Sequence, residues 1–212
     1  MKAITILLTC SIFAGLSSVK NTALAEDQVY IPDPNLKAAI EAELEISDPN
    51  AAEMLRLTYL NTAASGISDL TGLECATNMQ TLYLQSNKII DISHLAGLTS
   101  LKTLWLGNNE ISDISVLAGL TSLTNLMLSY NQISDITPLI DLTNLSLLWL
   151  PNNQISDISA LSELTNIISL SLSFNKIKDI SSLSNMTNLK TLYLDDNYVD
   201  DISTLTKMTK LE

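Results

Sequence analysis

The sequence predicts an α/β solenoid. It should form a curved horseshoe with a parallel β-sheet on the concave face, 3₁₀ and irregular turns on the convex face, and a helical N-terminal cap. Three observations carry that expectation: hydrophobic triplets recur at a constant 22-residue interval, an asparagine follows each triplet at a fixed offset, and an amphipathic segment precedes the first of them.

The first 25 residues read as a secretory signal peptide. Lys2 supplies a short basic region, residues 4–16 form an apolar run, and Ala23-Leu24-Ala25 offers a small-residue cleavage site before Glu26 and Asp27. The apolar run is shorter than the roughly 20 residues a membrane span requires. Cleavage would remove Cys10, so the mature fold is expected to be held by its core, with Cys75 as a partly buried structural cysteine.

Residues 26–56 are expected to form the cap. Asp33-Pro34 is a helix start with proline at the first helical position. Leu36, Ala39, Ile40 and Leu44 follow at helical spacing and make one apolar face. A second short helix is expected from about Asp48-Pro49, carrying Met54 and Leu55 toward the first coil.

Residues 57–212 hold about seven repeats, the last incomplete. The triplets Leu82-Tyr83-Leu84, Leu104-Trp105-Leu106, Leu126-Met127-Leu128, Leu148-Trp149-Leu150, Leu170-Ser171-Leu172 and Leu192-Tyr193-Leu194 stand 22 residues apart. Three residues after each comes Asn87, Asn109, Asn131, Asn153, Asn175 or Asn197. A degenerate unit with Leu57, Leu60 and Ser65 precedes them. The pattern L-x-x-L-x-L-x-x-N-x-I is that of a leucine-rich repeat. Side chains alternate along a strand, so the leucines point inward and the middle residue outward. Stacking the strands builds one long sheet, with residues such as Ile111, Ile114, Leu117 and Leu120 filling the core behind it. The asparagines are expected to be structural, bonding backbone groups that the bend leaves unpaired.

A second ladder, Asp69, Asp91, Asp113, Asp135, Asp157, Asp179 and Asp201, reads as caps of the 3₁₀ turns. Calcium-binding solenoids carry several acids and glycines per turn, which this pattern does not, so no metal and no cofactor are expected. No C-terminal cap is visible, and Leu211 occupies the first position of a further unit, so a fragment of a longer protein is expected.

The outward column Tyr83, Trp105, Met127, Trp149, Ser171 and Tyr193 contains both tryptophans of the chain. Exposed aromatics are costly in water and frequent at binding hot spots, and the concave sheet of a solenoid is its usual binding surface. Tyr83, Trp105, Met127, Trp149 and Tyr193 are therefore the candidate partner-binding residues, with Tyr130 and Phe174 at the margin of the sheet. Gln85, Lys88, Glu110, Gln132, Gln154, Asp195 and Asp196 would form a polar rim with an acidic end.

The N-x-I-S-D-I-S-x-L segment Asn109 to Leu117 and the opening Ile31-Pro32-Asp33-Pro34-Asn35-Leu36 resemble the internalin family of bacterial surface proteins. The resemblance covers residues 28–212 and implies a secreted or surface-attached protein, with host-cell attachment and a role in virulence as further implications. Family members usually continue into an Ig-like domain and a wall-attachment segment. No L-P-x-T-G motif occurs in this sequence.

A formal charge of −12 argues against nucleic acid and anionic lipid as partners. No catalytic residue is expected: the lone histidine, His94, reads as an isolated surface group, and no phosphate loop occurs. The expected function is thus non-enzymatic binding of a protein by a monomer, with a host surface protein as one candidate partner. The alternatives are a glycan stacked on Tyr83, Trp105 and Trp149, and a rigid spacer within a larger adhesin.

Overall fold

Seven three-residue strands pair in sequence order into one parallel sheet in this computed structural model, which describes residues 28–212. They are β1 (Tyr59–Asn61), β2 (Thr81–Tyr83), β3 (Thr103–Trp105), β4 (Asn125–Met127), β5 (Leu147–Trp149), β6 (Ser169–Ser171) and β7 (Thr191–Tyr193). The signal-peptide expectation falls on residues 1–25, outside the described residues. Every strand pairs with a register shift of one repeat, as in Thr81↔Thr103, Leu82↔Leu104 and Tyr83↔Trp105. The sequence period is therefore the sheet register, and a slipped register would turn every leucine outward.

The backbone ladder runs past the strands, with Leu84 N–H donating to Trp105 O and Ser86 N–H to Gly107 O, both at 2.8 Å. The inward leucines, such as Leu82, Leu84, Leu104 and Leu106, are fully buried. Each contributes about 1.5–3 kcal/mol of apolar burial. Ile111, Ile114, Leu117 and Leu120 close the core on the convex side.

A short 3₁₀ turn follows in each coil, from Leu73–Cys75 to Ser203–Lys207. The aspartate before it accepts the N–H two residues on, at 2.8 Å in Asp91, Asp113, Asp135, Asp157, Asp179 and Asp201. The Ser93 backbone N–H holds Asp91, and the Thr137 hydroxyl holds Asp135, below the usual carboxylate value.

The asparagines join coil to coil. Asn153 donates through Nδ2 to Leu150 O of its own coil (3.1 Å) and Leu128 O of the coil before (2.9 Å). Its Oδ1 accepts Ile133 N–H at 3.0 Å. Asn87, Asn109, Asn131, Asn175 and Asn197 repeat the arrangement. A second staple stands on the other side of the strands, where Asn78, Asn144, Asn166 and Asn188 each donate to a carbonyl of the preceding coil at 2.9–3.1 Å.

The N-terminal cap consists of α1 (Pro34–Leu44) and α2 (Ala51–Met54). Leu36, Ile40 and Leu44 of α1 are buried against the first coil. Asp33 is buried and fully used. Its Oδ1 accepts Asn35 and Leu36 N–H at the helix start, and its Oδ2 accepts Ser68 and Asp69 N–H of the first coil. Gly72, at φ +96°, lies under the chain entering the cap; a Cβ there would stand 2.7 Å from Ile31 Cγ1 and 2.8 Å from Tyr30 O.

Three expectations need correction here. Helix α2 is capped by Asn50, whose side chain and Glu53 form a reciprocal capping box, so it starts later than Asp48-Pro49. Met54 is buried, whereas Leu55, beyond the four-residue helix, points out at 43% exposure. Cys75 is buried but is disulfide-bonded, not a thiol held by packing alone; Cys10, the other cysteine of the sequence, lies outside the described residues.

Two outcomes follow for stability. Asn153→Ala leaves the Ile133 N–H and the carbonyls of Leu128 and Leu150 without their partner, and urea denaturation should register a loss of about 2–4 kcal/mol; a loss below about 1 kcal/mol would mean the clamp is dispensable. Burial of Asp33 opposes ionisation, but its four backbone N–H partners outweigh it and lower the carboxyl below the ordinary 3.8. The stabilisation is fully present above that unfolded-state value and is lost as pH falls through the lower folded value. Asp33→Asn should therefore lower Tm at pH 7 and narrow its gap to the parent as the pH drops below 3.8.

Candidate binding face

The strands form one residue earlier than the L-x-L triplets suggest, because pairing already includes Thr81, Thr103 and their counterparts. The outward residue of each triplet is accordingly the last residue of its strand, and two columns face outward. One runs Tyr59, Thr81, Thr103, Asn125, Leu147, Ser169 and Thr191; the other runs Asn61, Tyr83, Trp105, Met127, Trp149, Ser171 and Tyr193.

The aromatic residues of the two columns are not evenly deployed. Tyr59 meets Tyr83 edge-on, with ring centroids 5.9 Å apart, and Tyr83 packs on Trp105 at 4.4 Å and 35°. These three rings form a continuous patch over β1–β3, with Met127 beside it. Trp149 stands apart: its Nε1–H donates to Ser169 Oγ at 3.1 Å, so the indole leans toward β6. Tyr193 is half exposed on β7, and Ser171 between them is buried. The sequence reading missed Tyr59, which is 42% exposed. Carrying the 22-residue register back from Thr81 reaches it, although the first repeat is too degenerate to draw attention to it.

Beyond the strands the chain turns through one left-handed residue per coil: Ala64, Ser86, Asn108, Tyr130, Asn152, Phe174 and Asp196, at φ of 52–60°. Asn, Asp and Ser suit this conformation through local hydrogen bonding, whereas a bulky aromatic does not. Tyr130 and Phe174 occupy it nonetheless, at 60% and 49% exposure.

The rim is more scattered than expected. Gln85 is half buried with its Oε1 shielded from solvent, so it belongs to the floor of the face, where Gly107 beside it has no side chain. Lys88, Glu110, Gln132 and Gln154 are exposed on the flank past the left-handed turn, not around the aromatic column. Asp195 and Asp196 are exposed at the C-terminal end, where Asp195 accepts the Ser173 hydroxyl at 2.5 Å.

His94 is not isolated. It is half buried, and its Nε2 lies 3.2 Å from Thr71 Oγ1, whose own hydroxyl donates to Asp69 at 2.6 Å. The 3₁₀ turn that carries His94 packs it against the neighbouring coil, which the sequence spacing does not reveal.

These features define a leucine-rich-repeat solenoid with an aromatic concave face. The profile of the leucine-rich-repeat family, which holds two copies of the repeat, matches residues 77–119, 121–163 and 165–207. Among solved structures, an internalin (InlF) from Listeria monocytogenes is 32% identical with a TM-score of 0.71, covering 85% of this chain and 61% of that one. Internalin C2 from the same species is 32% identical with a TM-score of 0.69, covering 85% and 91%. The chain belongs to the internalin-like leucine-rich-repeat proteins, and it spans 61% of the length of the first of these relatives. The ectodomain of a plant membrane receptor kinase from Arabidopsis thaliana, in complex with Casparian strip integrity factor 2, shares the fold at 22% identity and a TM-score of 0.59, over 66% of this chain and 18% of that one. No curated protein matches the chain. Among the described residues, no helix is long and apolar enough to cross a membrane.

Replacing Phe174 or Tyr130 by Asn should raise stability by about 0.5–1 kcal/mol, because the left-handed backbone suits Asn better. Thermal denaturation of each variant against the parent measures it; a destabilisation would show that these rings are packing elements.

Proposed function

We propose that this chain is a non-enzymatic binding module of a secreted or surface-exposed bacterial protein and that its concave face takes a partner protein. The leucine-rich-repeat fold commonly mediates protein–protein binding. The observation that carries the reading is the outward column running through Tyr83, Trp105, Met127, Trp149 and Tyr193, held in register by the strand ladder.

Three features favour a binding role over simple stabilisation of the sheet. Among the described residues the stacked patch uses Tyr59, Tyr83 and Trp105, and neither Trp149 nor Tyr193 stacks on another described ring. Tyr130 and Phe174 hold exposed rings in a backbone conformation that costs of order 1 kcal/mol or more. The rings are pre-positioned by a rigid ladder, which lowers the entropy lost on association. Residues 1–25 are read as the export signal, 26–56 as the cap and 57–212 as the binding repeats. The partner is read as a protein, with a host surface protein as the candidate, and the module as a monomer.

Immobilised protein should capture a partner from host surface proteins, with a glycan array run in parallel. Trp105→Ala and Trp149→Ala together should weaken capture by about 2 kcal/mol or more, roughly thirtyfold, while circular dichroism confirms the fold. Retention of glycans in place of proteins, or equal behaviour of parent and double variant on every surface, would overturn the proposal.

A further inference from the structure

We propose that Met127, in the middle of the concave face, is a reversible oxidation site: hydrogen peroxide converts its thioether to the sulfoxide and thereby weakens docking on the ring column. The effect on docking rests on the reading of the concave face as a protein-binding surface, whereas the oxidation itself does not.

The site follows from where the repeat puts its methionines. Met54, Met79, Met186 and Met208 lie in the core and are 0%, 0%, 0% and 5% exposed. Met127 ends β4 on the outward side and is only half buried. Hydrogen peroxide is little larger than water, and a close-packed core admits neither. Cys75 does not compete, being buried and disulfide-bonded. Among these sulfur-bearing residues Met127 is thus the one open to solution.

Its place in the column gives the change a consequence. Trp105 on β3 and Trp149 on β5 stand in register on either side, each one strand spacing away, about 4.8 Å at the backbone. Methionine supplies flexible, polarisable apolar surface between them, which adapts to a partner's contour. In the reaction the sulfur lone pair attacks one peroxide oxygen. The S–O bond forms as the O–O bond breaks, and the other oxygen leaves as water with both protons. Sulfur gives up two electrons and the peroxide takes them. The product is polar and chiral, and it carries a strong hydrogen-bond acceptor that a docked partner would have to bury. Leu126 and Leu128 on either side of Met127 stay fully buried, so the coil keeps its core and only the face changes. Reduction of the sulfoxide to the thioether restores that face.

The test exposes the full chain to hydrogen peroxide and follows each methionine by peptide mass spectrometry. Met127 should gain one oxygen at least about tenfold faster than Met54, Met79, Met186 and Met208, and in urea the rates should converge to within about twofold. Retention on a phenyl resin, the probe of the apolar face, should fall in the oxidised parent and recover after treatment with methionine sulfoxide reductases for both epimers. Peroxide-treated Met127→Leu should keep its retention, with circular dichroism unchanged throughout. Oxidation of another of these methionines as fast as Met127 in the folded chain, or an equal loss of retention in Met127→Leu, would overturn the site. In the capture assay, peroxide should weaken capture about tenfold in the parent and not in Met127→Leu. Undiminished capture after complete oxidation of Met127 would overturn the effect on docking and leave the concave-face reading standing.

Discussion

Everything on this molecule's surface is positioned by the side-chain amide that spans two coils. Each asparagine of the ladder takes up one N–H and two carbonyls at the place where the chain leaves the sheet and must bend. A bend of that kind ordinarily exposes backbone groups to water, yet here they face the core, where an unpaired group costs about 1–3 kcal/mol. Asn suits the task because one short side chain carries two donors and an acceptor. Its bonds to the preceding coil fix the offset between coils, so the strand register and the ladder enforce each other.

That mutual enforcement gives the chain its division of labour. The positions inside the coil are nearly invariant from repeat to repeat, since each leucine, isoleucine and asparagine meets its own counterpart one coil away. The outward positions meet only water and their lateral neighbours, so they can differ freely without disturbing the fold. Thr81, Thr103, Asn125, Leu147, Ser169 and Thr191 show this tolerance in one column. The aromatic column beside it uses the same freedom to carry bulky rings. The N-terminal end obeys a different rule: Asp33 ties the cap to the first coil through backbone bonds on both its carboxylate oxygens.

The fold was legible in the sequence because its determinants are periodic. A spacing of 22 residues states the register, the side-chain alternation and the place of the asparagines at once. The site was legible only by column. Which outward residues touch depends on rotamers and on a one-residue choice of where pairing begins, and neither leaves a periodic trace. Thus the Tyr59–Tyr83–Trp105 patch, the lean of Trp149 onto Ser169 and the burial of Gln85 are set by side-chain packing that no sequence period records. The left-handed column is an intermediate case. Ser86, Asn108, Asn152 and Asp196 are residues that tolerate positive φ, and Tyr130 and Phe174 break that pattern. Once the turn is known, the exceptions are visible in the sequence itself.

Those exceptions bear on how a periodic scaffold comes to recognise anything. A perfectly regular solenoid presents the same surface in every coil, and a partner could then bind in any of several registers shifted by one strand spacing. Specific docking requires positions that break the repeat. Here the breaks cluster. The first three coils carry stacked rings, the sixth presents serines where its neighbours carry Trp149 and Tyr193, and the seventh adds Asp195. A partner shifted by one coil would set its contacts for Trp149 against Ser171 or Met127 and lose the ring contact in either direction. The irregularity of the outward column therefore does for docking what the regularity of the inward positions does for folding: it leaves one register favoured over the others.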